Sequence, residues 1–143
     1  MLNQLFAGGV ISVLNFGIHA IMTGLITVVT RHIAAATDDL HVFMRTSALM
    51  LATVVALTLA HVVEIAFWAG FLTLAGVSAE RLSSFEFAFE NYVALGYGDV
   101  VAAEGWRLIG PIMSLNGLLL IGWSVAIIFE VLRMAEISFG TRR

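Results

Sequence analysis

Residues 5–30, 47–79 and 108–129 form three long apolar runs, and the only formal charge within them is Glu64. A helix needs roughly 20 apolar residues to cross about 30 Å of hydrocarbon. Each run is long enough, and the second is longer than required, so its helix must tilt or project. The chain has 143 residues, 60% hydrophobic and 12% charged. A soluble domain carries about twice that charge, so one soluble core could not hide this surface. The net charge of −3 and the absence of a basic run give no footprint for a nucleic acid. With no cysteine, disulfides, thiol chemistry and Cys–zinc sites are excluded. No Lys or Arg precedes Arg31, so the first run lacks the basic start of a secretory signal and is read as a retained helix.

A fourth apolar piece, residues 83–93, is too short to cross, because eleven helical residues reach only about 16 Å. It must dip into the membrane and return. Ser83-Ser84-Phe85-Glu86 reads as a capping box and puts the start of this half-helix near Ser83. Ala94 to Asp99 then contains two glycines and cannot continue a helix. Non-helical backbone at membrane depth survives only where protein buries it or where it lines a watery path. A half-helix, an extended strand and a returning helix are the parts of a cation filter, in which backbone carbonyls replace the hydration shell of the ion. Glycines let successive carbonyls face one way, and a helix C-terminus favours the cation.

Ala94-Leu95-Gly96-Tyr97-Gly98-Asp99 resembles the Thr-Val-Gly-Tyr-Gly-Asp signature of potassium channels. Trp106-Arg107 follows at the spacing of two-helix pore domains. "HVVEIAFWA" (61–69) and "NGLLLIGWSVAIIFEV" (116–131) look like small bacterial members of that family. The resemblance covers residues 47–134 and leaves the first helix outside it. It implies an all-α membrane protein with three spanning helices, one re-entrant pore helix and one filter strand per chain, assembled as a homotetramer around K⁺. The carbonyls of Leu95, Gly96, Tyr97 and Gly98 would coordinate the ion, and Ala94 would bound the innermost site. The family usually has Thr there, so Ala94 offers no hydroxyl and leaves selectivity open to relaxation. Gly117 and Gly122 match the hinge glycines of the inner helix. By the same resemblance, Leu118, Ile121, Val125 and Phe129, which share one helical face, line the inner pore, with Phe129 as an apolar constriction. Ordinary bundle packing would satisfy the same stripe.

The implied organisation is a first helix and cytoplasmic loop (1–46), a pore domain (47–134) and a short cytoplasmic tail (135–143). Within the pore domain the outer helix takes 47–79, the pore helix 83–93, the filter 94–99 and the inner helix 107–134. Glu90 sits one turn before the end of the pore helix, close enough to Asp99 for the two carboxyls to share a proton and support the filter. Capping of backbone or water by Glu90 is the alternative.

The remaining polar residues of the spans need partners. Ala48, Ala52, Ala56 and Ala60 recur every fourth residue, and Glu64 continues the stripe, so it should face protein. His61 lies three residues before Glu64, within reach of a pair. Interhelical bonding with Asn15 or Asn116 is the favoured reading. A pH-sensitive couple and a metal site completed by His19 are the sharper ones. On the first helix, Ala20 and Gly24 offer a small-residue packing face, placing it outside the pore helices. Glu130 and Arg133 are spaced to pair.

Five of the seven basic residues, Arg31, Arg45, Arg133, Arg142 and Arg143, fall on one side of the spans, which makes that side cytoplasmic and the N-terminus external. A bacterial inner membrane follows from the resemblance. No enzyme is expected, since neither His-Glu-x-x-His nor a Ser-His-Asp order occurs. No cofactor is implied beyond the permeant ion, and the partners are K⁺, lipid and further copies of the chain. A non-selective cation pore and a non-conducting pore-fold sensor remain the rival functions.

Overall fold

The computed structural model describes residues 1–37, 40–77 and 81–140, with side chains except at 81, 82 and 136–140. Four helices follow in order: α1 (Leu2–Ala36), α2 (Val42–Leu74), α3 (Arg81–Tyr92) and α4 (Ile109–Gly140). No β-ladder occurs among the described residues, and the strand at 94–99 is a single unpaired segment. α1, α2 and α4 are each long and apolar enough to cross a membrane. α3 has 12 residues and spans about 18 Å, so it cannot cross.

The helices overrun the apolar runs. α1 continues through Arg31 and His32 into three alanines, and α4 passes residue 134 to Gly140, because no breaker intervenes. α3 begins at Arg81, which puts Ser83 inside the helix and not at its cap. Arg and Leu are good helix formers, so the helix extends back past the capping-box serine. α2 ends at Leu74 in a left-handed turn at Gly76, short of the 79 expected. Arg142, Arg143 and the ends of the second apolar run at 78 and 79 lie outside the described residues.

α3 lies between α2 and α4, and α1 packs along both of those helices. The main core is built from Trp68 and Leu72 of α2, Phe87, Ala88 and Tyr92 of α3, and Ile109, Met113 and Leu120 of α4. A smaller cluster of Leu49, Val131 and Ala135 closes the other end. There Arg31, Arg45 and Ala135 line one pocket, so the end of α1, the start of α2 and late α4 meet. At the opposite end Gln4 holds the loop before α4. Its side-chain amide donates to the Gly105 carbonyl, and its Oε1 accepts from the Leu108 N–H at 3.0 Å.

The rotation of α1 differs from expectation. Ala20, Gly17 and Gly24 are exposed, and a β-carbon on either glycine would meet nothing within 4 Å. The inward face is instead Gly8, Asn15, His19, Ile26 and Thr30. A buried polar group in hydrocarbon is costly unless bonded, so Asn15 and His19 set the rotation and override the small-residue face. The stripe on α2 does face protein: Ala60 and Glu64 are both 0% exposed. Large side chains such as Phe6, Val13, Leu51 and Leu59 cover the outside, as an apolar solvent requires. The chain is an integral membrane protein.

Candidate functional site: a glycine-turned strand above a buried polar cluster

α3 ends in a tight C-terminal motif. The Leu95 N–H bonds the Glu90 carbonyl at 2.8 Å, and the Ala94 N–H bonds the Asn91 carbonyl at 3.0 Å. This pair of bonds is a Schellman cap, whose pivot residue takes left-handed dihedrals and is usually glycine. The end of α2 has the same motif, with Val77 bonded to Leu72 at 2.9 Å and Gly76 as the pivot. At the end of α3 the pivot is Ala94, with φ of 55°, the one non-glycine residue of positive φ among those described. The sequence reading treated Ala94 as a missing hydroxyl. The backbone gives it a second property, a left-handed conformation that a β-branched threonine adopts only as an outlier.

Left-handed dihedrals then recur at every second residue. Gly96 has φ of 65° and Gly98 has φ of 78°, while Leu95 and Tyr97 between them are not positive. This strand is largely uncovered by its own chain, with Leu95 48% and Tyr97 68% exposed. Behind it is a cavity of about 440 Å³ lined by Glu90, Gly96, Gly98 and Arg107, among others. Glu90 lines this cavity and also an open groove beside Leu95 and Tyr97. Among the described residues no hydrogen bond joins it to Asp99, and Arg107 is the basic group lining the same cavity.

The foot of α3 rests on α4. A β-carbon on Gly117 would overlap the Tyr92 carbonyl oxygen and lie 2.8 Å from its carbon, so Gly117 permits backbone-to-backbone approach. The Ser114 hydroxyl donates to the Asn91 carbonyl at 2.7 Å and fixes the same junction. Gly122 has nothing within 4 Å and is open. Leu118, Val125 and Phe129 are exposed on α4, and Ile121 is half-buried against the core, so most of this stripe faces away from its own chain. Arg133 and Glu130 form a bidentate pair, at 2.8 and 3.0 Å, on the same exposed helix.

Beneath the strand lies a polar cluster. Glu64 is fully buried and has three partners: His19 Nδ1 at 2.7 Å, His61 Nδ1 at 2.9 Å and the Tyr92 hydroxyl, which donates to it. His61 Nε2 lies 2.9 Å from Ser124 Oγ. The His61–Glu64 pair is the one the sequence spacing predicts, and Tyr92 joins it from the end of the pore helix. Asn15 and Asn116, expected as partners of Glu64, bond each other instead. Asn116 Oδ1 accepts from Asn15 Nδ2 and from Trp68 Nε1, both at 2.9 Å. His19, expected only as the third member of a metal site, bonds Glu64 directly; it sits four residues after Asn15, so both polar groups fall on one helix face.

A short helix that enters and stops, a glycine-turned strand and a returning helix are the parts of a membrane pore. A family model described as an ion channel matches residues 51–134. The match takes in α2 from Leu51, all of α3, the strand and α4 to Met134, and the chain belongs to this ion channel family. No curated protein and no solved structure matches it.

Proposed function

We propose that four copies of the chain assemble a pore that passes K⁺ selectively and passively, with the carbonyls of residues 94–98 as the filter. The observation that carries this reading is the left-handed backbone at Ala94, Gly96 and Gly98. A strand of uniform dihedrals turns successive carbonyls to opposite sides. Reversing the sign of φ at alternate residues turns them toward one side, as a carbonyl cage demands. One strand supplies one wall, so the cage needs symmetric copies. The exposed faces of Leu95, Tyr97, Phe85 and Phe89 are available to neighbouring copies, and Leu118, Val125 and Phe129 to the inner cavity.

The meeting of Arg31 and Arg45 with late α4 supports a cytoplasmic assignment for that end, and so an external filter mouth. A bacterial cytoplasmic membrane fits the resemblance. The test is K⁺ against Na⁺ flux in liposomes holding the purified protein, with and without Ba²⁺. Fast K⁺ flux that Ba²⁺ blocks, with little Na⁺ flux, is expected. Equal fluxes would give the pore to cations in general, the reading favoured by the absent hydroxyl at Ala94. Absence of flux would favour a non-conducting relative.

A further inference from the structure

We propose that His19, His61 and Glu64 form a binding site for a divalent transition metal of the Zn²⁺ class, one per chain, between α1 and α2 at the foot of the pore helix. The donor set is two imidazoles and a carboxylate, with one ligand atom from each lying within 4.8 Å of the others. Imidazole with carboxylate suits Zn²⁺ and its neighbours, whereas Mg²⁺ and Ca²⁺ require oxygen. Around a tetrahedral Zn²⁺ at about 2.0–2.1 Å, ligand atoms stand about 3.3 Å apart. The two imidazole–carboxylate separations of 2.7 and 2.9 Å need to open only slightly, and no two of the three ligand atoms stand more than 4.8 Å apart.

The surroundings match a metal centre in two further respects. The Tyr92 hydroxyl reaches both Glu64 and His61 Nδ1, the latter at 2.8 Å, and so would hold the carboxylate from outside the donor set. Ser124 Oγ holds the far nitrogen of His61, as outer-shell partners of metal-bound imidazoles do. Hydrogen bonding alone does not call for a histidine at position 19. Asn15, four residues earlier on the same face, joins helices with an amide. His19 is fully buried and meets Glu64 through Nδ1, while its Nε2 lacks the outer partner that Ser124 gives His61. His61 is 19% exposed at its side chain in the single chain, so the cluster reaches the surface there. Occupancy would tie α1 to α2 and fix Tyr92, two residues before Ala94, so the first helix would act on the filter through this ion.

The test uses the purified full chain in lipid nanodiscs, titrated with Zn²⁺ by calorimetry and with Co²⁺ by visible absorption. One metal per chain with the bands of tetrahedral Co²⁺ is expected. Losing an outer-shell partner weakens binding by about 10–100-fold, so Ser124→Ala should fall in that range and His19→Gln should lose more. A double change of the exposed His32 and His41 to Gln should leave binding intact. Wild-type protein that takes up no metal would overturn the proposal. So would binding that survives both His19→Gln and Ser124→Ala but disappears with His32 and His41. Should His19→Gln fail to assemble, the wild-type Co²⁺ spectrum and Ser124→Ala decide between these outcomes.

Discussion

The backbone of Tyr92 lies directly on Gly117: any β-carbon at 117 would overlap the Tyr92 carbonyl oxygen and sit 3.0 Å from the ring carbon Cγ. Backbone cannot step aside as a flexible side chain can. Gly117→Ala is therefore expected to lift α3 off α4 and destabilise the assembled protein by about 1–3 kcal/mol or more. Gly122→Ala meets open space in the single chain and should be tolerated. Thermal unfolding of the two variants in one detergent checks the contrast. Equal stability would mean that the α3–α4 contact is not the role of Gly117 and would return weight to its reading as a hinge.

Ala94 holds a position that Gly76 holds at the end of α2. A left-handed L-residue costs roughly 1–2 kcal/mol, part of which is offset by the lower unfolded-state entropy of alanine relative to glycine. Ala94→Gly should therefore stabilise the fold by about 0.5–1 kcal/mol. Ala94→Thr restores the residue that the potassium-channel resemblance implies, yet its β-branch is disfavoured at this φ. Its melting temperature is expected below that of the wild type. A melting temperature above it would show that the strand adopts other dihedrals in the assembled pore.

Gly96→Ala and Gly98→Ala place a β-carbon on left-handed backbone without any clash in the single chain. Each should cost about 1–2 kcal/mol through conformation alone. Because the cost falls on the strand, helix content by circular dichroism should stay unchanged while any ion flux through the protein is lost. Retained flux at wild-type rates would separate conduction from these dihedrals.

The spans were legible because hydrocarbon leaves so few options: three apolar runs, with Glu64 their one formal charge, had to be helices, and a run of eleven residues could not cross. The non-helical turn after α3 was legible because glycines at alternate positions permit the left-handed backbone found at Gly96 and Gly98. The rotation of α1 was not. Ala20 and Gly24 suggested one packing face, and only the positions of Glu64 and Asn116 on other helices show why Asn15 and His19 turn inward. The role of Tyr92 was hidden for a similar reason. Its ring packs as any aromatic would, and its hydroxyl finds Glu64 across 28 residues of sequence that no local pattern connects. Gly117 was read from the sequence as a hinge, while its contact with Tyr92 depends on a helix crossing that sequence alone does not specify.

Asn116 tests how α1 is held to the pore domain. Its Oδ1 accepts from Asn15 of α1 and from Trp68 of α2, and its amide reaches the Ser12 carbonyl at 3.5 Å, so three helices meet on one side chain. Asn116→Leu removes the shared acceptor and leaves two buried donors unbonded, at about 1–3 kcal/mol for each stranded group. Interhelical bonds in membranes average nearer 0.6 kcal/mol, because the separated helices find other partners. The expected loss is therefore about 1–3 kcal/mol in total. Asn116→Asp keeps the acceptor and should retain the Trp68 bond, though it places a second carboxylate in the membrane. A double-mutant cycle with Asn15→Ala separates the two donors: a coupling energy of about 0.5 kcal/mol or more ties α1 to α4 through this bond. Additive losses would mean that α1 is held by apolar packing, by the His19–Glu64 contact and by the Gln4 bonds to Gly105 and Leu108.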